Sequence, residues 1–303
     1  MGRFPTCVLS FLWVGIINRL SAVGGVNVHH KRINNLSWFL TFILFFIVSF
    51  NTACQRPKGG MTVAGSTSVE PFAELLAEEY MRLHPDAHIY VQGGGSTAGV
   101  EAARSHAANI GMSSRSLLPS EKDLSAVMIA RDAIAVIVHP ENHIRNLSLI
   151  EVRDVFSGRI KKWKELGGPD HPIVLVTREE GSGTREAFQK FVMGKEDISL
   201  AALVQDSNGA IRQVVSSDPN TIGYISLGLV NEKVKAMEIS GVEASVSNIE
   251  NGSYTLVRPF LFLFNGDPTG EAKAFVDFVL SPPAQKILSK EGLVSILPRT
   301  ARK

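Results

Sequence analysis

The chain is 303 residues long, 45% hydrophobic and 20% charged, which excludes a disordered protein and leaves room for one large domain or two lobes. The formal charge is +2, but Arg3, Arg19, Lys31 and Arg32 fall in the first 53 residues with no acid among them. The remainder holds 27 basic against 29 acidic side chains, which excludes a basic, nucleic-acid-coating surface.

Only Cys7 and Cys54 occur, so residues 55–303 can hold no internal disulfide and no cysteine-based metal site. A first apolar stretch, Cys7 to Ile17, reads as an upstream extension. His29-His30-Lys31-Arg32 then precede a 15-residue apolar run, Leu36 to Phe50, short for a membrane span and suited to a signal-peptide core. Asn51-Thr52-Ala53-Cys54 resembles the bacterial lipobox, departing from it at Asn51, where an aliphatic residue is usual. The expectation is an exported protein, tethered to a membrane by lipidation at Cys54, with residues 1–58 serving as signal or anchor segment and tether.

Met61–Ala64 reads as a strand. Pro71 to Leu83 follows as a helix with Phe72, Leu75, Leu76, Tyr80 and Leu83 on one face and Ser68 as a candidate cap. His88–Val91 is a second strand, Thr97 to His106 a helix, and Asn109–Met112 a third strand. Ala133–Val138 is a continuous apolar run, the mark of a strand buried on both faces. A short helix over Leu149–Phe156 comes next, then a strand over Ile173–Val176 that delivers Arg178, and a helix over Arg185–Val192. Asn220–Ser226 and Leu256–Phe264 read as extended, and Gly270–Leu280 and Pro283–Glu291 as a helical pair. The alternation predicts an α/β protein with mixed, mostly parallel sheets. The chain is expected to cross between lobes near Asp132–Ala133 and near Leu256–Arg258. That places residues 61–132 and 258–303 in lobe 1 and residues 133–257 in lobe 2, with a ligand in the interlobe cleft.

Four short segments carry the chemistry: Gly65-Ser66-Thr67-Ser68, Gly93-Gly94-Gly95-Ser96-Thr97, Met112-Ser113-Ser114-Arg115 and Arg178-Glu179-Glu180-Gly181-Ser182-Gly183-Thr184. Each follows a short apolar run, and at least three open an amphipathic segment. In that arrangement, backbone N–H groups at a helix start face an anion. Hydroxyls of Ser66, Thr67, Ser68, Ser96, Ser114, Ser182 and Thr184 add donors, and Arg178 can add a charge-assisted, bidentate contact. A micromolar site needs about −8 kcal/mol, which many donors of about 1 kcal/mol each plus one arginine can supply. Strand alternation predicts that Glu179 turns away from Arg178 while Glu180 lies beside it and steadies the guanidinium.

With these loops stand Val155-Phe-Ser-Gly-Arg-Ile-Lys-Lys-Trp-Lys-Glu-Leu-Gly-Gly168, Asn208-Gly-Ala210, Asn220-Thr-Ile-Gly-Tyr-Ile-Ser-Leu-Gly228, Arg258-Pro-Phe260 and the Gly270–Ser281 segment. Over about residues 61–300 the chain resembles the phosphate-binding proteins of bacterial ABC phosphate importers. The resemblance implies the two-lobe, type II periplasmic-binding-protein fold, closing by a hinge on inorganic phosphate and delivering it to permease subunits, as a monomer without cofactor or catalysis. It also implies that Ser68 and the Val69 N–H, then Ser96, Arg178, Ser182, Gly183 and Thr184 hold the phosphate, with Glu180 supporting Arg178. Some members place an aspartate on the third loop, where this chain has Ser114 followed by Arg115. Arg115 is expected to add positive charge, and sulfate is expected to be repelled less.

Other classes leave weaker marks. Another oxyanion, sulfate or molybdate, fits the same loops. A serine hydrolase or phosphatase would need a nucleophile elbow, but Gly94-Gly95-Ser96-Thr97-Ala98 fails G-x-S-x-G at Ala98. Asp132, His139 and His143 are the conceivable partners. His139-Pro140-Glu141-Asn142-His143 reads as a turn rather than a metal-binding helix, so no metal site is expected. A lipid-tethered surface protein acting in sensing or adhesion is the third class.

Overall fold

A computed structural model of the protein describes residues 60–297, all within one compact unit, Pro57–Lys303. The expected signal run, the lipidation at Cys54 and the tether lie outside the described residues. Strand β1 (Gly60–Gly65), helix α1 (Glu70–Leu83), β2 (His88–Gly93), α2 (Ser96–Arg104) and β3 (Ile110–Ser113) open the fold. The long β4 (Ser125–Val138) leads to β5 (Asn146–Leu147), α3 (Leu149–Phe156), β6 (Val174–Arg178) and α4 (Gly183–Phe188), whose axis continues as a π turn over Gln189–Met193. Then come β7 (Leu203–Gln205), α5 (Asn208–Ser217), β8 (Thr221–Ser226), β9 (Lys235–Ala236), β10 (Glu238–Ile239) and α6 (Val246–Glu250). Last are β11 (Val257–Phe264), α7 (Gly270–Val279) and α8 (Pro282–Lys290).

Among the described residues a nine-stranded mixed sheet runs β2-β1-β3-β11-β4-β8-β6-β7, with β9 beside β4. The flanks are parallel: β1 with β2 and β3, and β6 with β7 and β8. The centre is antiparallel: β11 pairs with β3 and with the first part of β4. β4 pairs with β11 as far as Ala133 and with β8 from Ile134 onward. A right-handed strand twist accumulates along so many strands, so the sheet curls and its two ends face different packing layers. This is the type II binding-protein architecture with mixed α/β content.

Two large apolar cores follow. One is built from residues between Met61 and Ala130 together with Phe260–Leu293, and includes Phe72, Leu76, Phe260, Phe262 and Phe275. The other takes residues between Ala133 and Leu256, with Val294. Its centre is a stack of Phe188 on Tyr224, ring centroids 3.9 Å apart, closed by Phe156 edge-on at 4.7 Å from Phe188. Sequence chemistry explains the elements. In α1 the buried Phe72, Ala73, Leu76, Ala77 and Tyr80 form one stripe, with Pro71 in the first turn, where its missing N–H costs nothing. Ser148 and Glu151 cap α3 reciprocally, and Ser207 caps α5 through the Ala210 N–H. Gly99 lets α2 press on the sheet: a Cβ there would lie 2.3 Å from the Met112 carbonyl and 3.0 Å from that of Ala64. Among the described residues no helix is long and apolar enough to cross a membrane.

Candidate oxyanion site between the two cores

Loops from both cores meet where β1, β3 and β6 end and α1, α2, α4 and α5 begin. Ser68 Oγ, ahead of α1, lies 2.8 Å from Thr184 Oγ1 in the first turn of α4. Ser96 Oγ accepts from the Ser114 N–H at 3.0 Å, and the two hydroxyls lie 3.3 Å apart. The Thr97 N–H donates to the Gly181 carbonyl at 3.1 Å, tying the α2 start to the loop before α4. Gly183 is packed so closely that a Cβ would stand 2.2 Å from Ser96 Oγ and 2.7 Å from Ser114 Oγ. Four helix N-termini therefore surround one small, hydroxyl-lined space, a region of partial positive charge.

Arg178 ends β6 and is 1% exposed. Tyr224, fixed by the aromatic stack, bonds the Thr177 hydroxyl at 2.7 Å, and Arg185 Nη1 donates to the Arg178 carbonyl at 2.7 Å, so this strand end is held firmly. The Arg178 guanidinium donates through Nε and Nη2 to both Glu179 carboxylate oxygens, each at 2.8 Å. Nη2 also reaches Thr67 Oγ1 and the Asp206 carbonyl, each at 3.0 Å. Its Nη1 is buried and has no hydrogen-bond partner among the described residues. A buried guanidinium donor without an acceptor is costly, which marks this corner as a place for an anion.

Arg258 is a second buried guanidinium. It stands opposite Asp132 across the β11–β4 ladder and pairs with its carboxylate at 2.9 Å. Nη1 donates to Thr184 Oγ1 at 2.8 Å and to Ser114 Oγ at 3.2 Å, and Nη2 to Ser68 Oγ at 3.1 Å. Burial pushes the Asp132 carboxyl up and the Arg258 guanidinium down, each against the opposing pull of its partner. Asn208, first residue of α5, accepts from the Ser226 N–H through Oδ1 and donates through Nδ2 to Ser68 Oγ at 2.9 Å. Arg178 and Arg258 each face one carboxylate, Glu179 and Asp132, and the helix starts and hydroxyls add to the polarity of the space.

The structure brings Thr67, Ser68, Ser96, Ser114, Arg178, Gly183 and Thr184 together. Ser66 lies behind them: its hydroxyl accepts from the Ser68 N–H and its carbonyl from the Val69 and Glu70 N–H groups. The Val69 N–H is therefore already engaged within its own turn. Ser182 caps α4 by accepting from the Arg185 N–H.

Two expectations are corrected. Glu180 is exposed, and Glu179 holds Arg178 instead. Strand alternation stops at Arg178, the last residue of β6; the chain then turns, and the arginine side chain folds back to its immediate neighbour. Arg115 adds no free charge to the cleft, because its guanidinium is neutralised by Glu121 at 2.7 Å and Glu186 at 2.6 Å. The partner Glu121 is itself buried, and its carboxyl is shifted downward, first by the hydrogen bond from Arg115.

From the sequence Asp132 stands only as a conceivable hydrolase partner, and Arg258 and Asn208 only within motifs, none of them as part of the oxyanion site. A signal existed: Arg258 interrupts an apolar strand and Asp132 abuts another, and a charge in such a run must find a buried partner. Among the described residues no group of three or more His, Cys, Asp or Glu side chains is arranged to hold a metal.

Residues 52–283 match the model of the PBP superfamily domain. The phosphate-binding protein PstS of Bacillus subtilis (strain 168) is 33% identical over 250 residues, 80% of this chain and 82% of that protein. A crystal structure described as a phosphate ABC transporter substrate-binding protein with bound phosphate, from Clostridium perfringens, is 41% identical. It has a TM-score of 0.77 and covers 79% of this chain and 100% of its own. An ABC-type phosphate transport receptor from Vibrio cholerae is 36% identical with a TM-score of 0.66, over 78% of this chain and 100% of its own. The chain belongs to the PBP superfamily and, within it, to the family of substrate-binding proteins that these relatives represent.

Proposed function

We propose that this protein binds inorganic phosphate in the cleft between its two cores and delivers it to an ABC transporter. The observation that carries the reading is the buried, unpartnered Nη1 of Arg178 at the meeting point of four helix starts. The similar Clostridium perfringens protein, crystallised with bound phosphate, supports it. The proposed contacts are Arg178, Thr67, Ser96, Ser114, Gly183 and Thr184, with Ser68 holding the Thr184 hydroxyl, Ser182 shaping the α4 start and Glu179 steadying the arginine. Residues 61–132 with 258–303 act as one lobe and residues 133–257 as the other, hinged where the chain passes between them, near Asp132–Ala133 and Leu256–Arg258. Many weak donors plus one charged pair give a tight but reversible site, suited to a carrier that releases its cargo.

The finer parts of the reading rest on the sequence alone: permease subunits as partners, export, a monomeric state and lipid attachment at Cys54. The test of the binding reading is calorimetric titration of the purified protein with phosphate, sulfate, arsenate and molybdate, beside a phosphate-ester hydrolysis assay. Saturable uptake of one phosphate per chain without ester turnover is the expected result. Turnover, or no saturable binding of phosphate, would overturn it.

A further inference from the structure

Arg258 has five N–H bonds, and its hydrogen bonds and ion pair account for all of them. Nε and one Nη2 proton face Asp132; the other three go to the hydroxyls of Ser68, Ser114 and Thr184. No donor is left over for a ligand. Arg178, by contrast, keeps Nη1 unspent. The two buried guanidiniums therefore have different tasks.

The hydroxyl directions follow by counting. Ser68 Oγ accepts from Arg258 Nη2 and from Asn208 Nδ2, and the Asn208 amide orientation is fixed by the Ser226 N–H on its Oδ1. Both lone pairs of Ser68 are then filled, and its proton must go to Thr184 Oγ1, 2.8 Å away. Thr184 Oγ1 now accepts from Ser68 and from Arg258 Nη1, so it too is filled. Its own proton has to point elsewhere, toward neither Ser68 nor Arg258. We infer that Arg258, anchored by Asp132 and assisted by Asn208, is a positioning residue that fixes Thr184 as a proton donor to the bound oxyanion. At this corner the protein offers the anion a proton and no lone pair.

The inference rests on the phosphate reading above. The phosphate dianion carries one P–O–H that needs an acceptor, and sulfate carries none. Thr184, held as a donor only, cannot serve that proton. Asn208→Ala removes a neutral donor and returns a lone pair to Ser68, which can then accept from Thr184 or from the anion. Arg258→Lys keeps the charge but has three donors in place of five. Wild type and both variants are titrated with phosphate and with sulfate at one pH where phosphate is the dianion, and folding is checked by circular dichroism. Both variants should bind more weakly, sulfate more so, raising the phosphate-over-sulfate affinity ratio about tenfold, the scale of one unmet hydrogen bond. An equal loss for both anions means a purely structural role and overturns the inference, while phosphate binding by wild type would still stand. If Arg258→Lys does not fold, the ratio measured for Asn208→Ala alone decides. Binding of neither anion by wild type overturns the phosphate reading and this inference with it.

Discussion

Replacing Glu186 with glutamine cuts a latch between the two cores. Arg115 follows β3 beside the first core, and Glu186 lies on α4, whose Ala187 and Phe188 belong to the second. Their atoms approach to 2.6 Å, whereas Glu121, the other partner of Arg115, sits on the same side as the arginine and is indifferent to closure. A hydrogen bond to a charged group contributes about 1.5–3 kcal/mol. The Glu186 side chain is 33% exposed, and screening there reduces the figure to about 1–2 kcal/mol. If the halves separate to release phosphate, the pair exists only when they are together, so the loss falls on release. Stopped-flow measurement of phosphate dissociation should show an acceleration of about 5–30-fold for Glu186→Gln. The melting temperature without phosphate should move little, since each core keeps its own packing. An unchanged release rate, or a lower melting temperature with unchanged affinity, would refute the latch.

Other perturbations follow from the same geometry. Gly99→Ala drives a Cβ into the Met112 carbonyl at 2.3 Å; a loss of about 3 kcal/mol should appear as a melting temperature lower by about 6–12 °C. Glu121 has a depressed folded pKa, so the stability it supplies is complete above the unfolded value of about 4.3 and is lost as pH falls through the folded value. Acid unfolding followed by circular dichroism should therefore be less steep in Glu121→Gln, which is less stable at neutral pH to begin with. Glu179→Gln should alter phosphate affinity, because it releases the Arg178 guanidinium, whereas the exposed Glu180→Ala should leave the titration unchanged.

Much of the architecture is legible from periodicity. The α3 helix has the bounds its capping residues and apolar spacing predict, Leu149–Phe156, and α1 starts one residue early at Glu70. The run Ala133–Val138 marks a strand buried on both faces, but β4 begins at Ser125, because its first residues alternate between partly buried and exposed and carry a weaker pattern. The α5 helix escapes a reading by motif: Asn208-Gly209-Ala210 suggests a turn, although Ser207 as a cap and Ile211 and Val215 one turn apart are helical signals.

At the site, residue types that favour an oxyanion are visible, and the loops holding them converge. What local sequence cannot supply is which charge finds which partner. Arg115 meets Glu121 and Glu186, 6 and 71 positions away, and Arg258 meets Asp132 across 126 positions. Those pairings are set by sheet register and core packing. The Glu179–Arg178 pair fails prediction for the opposite reason, since it is so local that the end of a strand decides it.

Equilibrium dialysis with radiolabelled inorganic phosphate, comparing wild type with Arg178→Met, tests the central claim most directly. The account predicts one phosphate per wild-type chain at micromolar concentration or below, and affinity about a hundredfold or more weaker once the buried, unpartnered Nη1 is gone, with the circular dichroism spectrum retained. Equal binding by a folded Arg178→Met variant would contradict it.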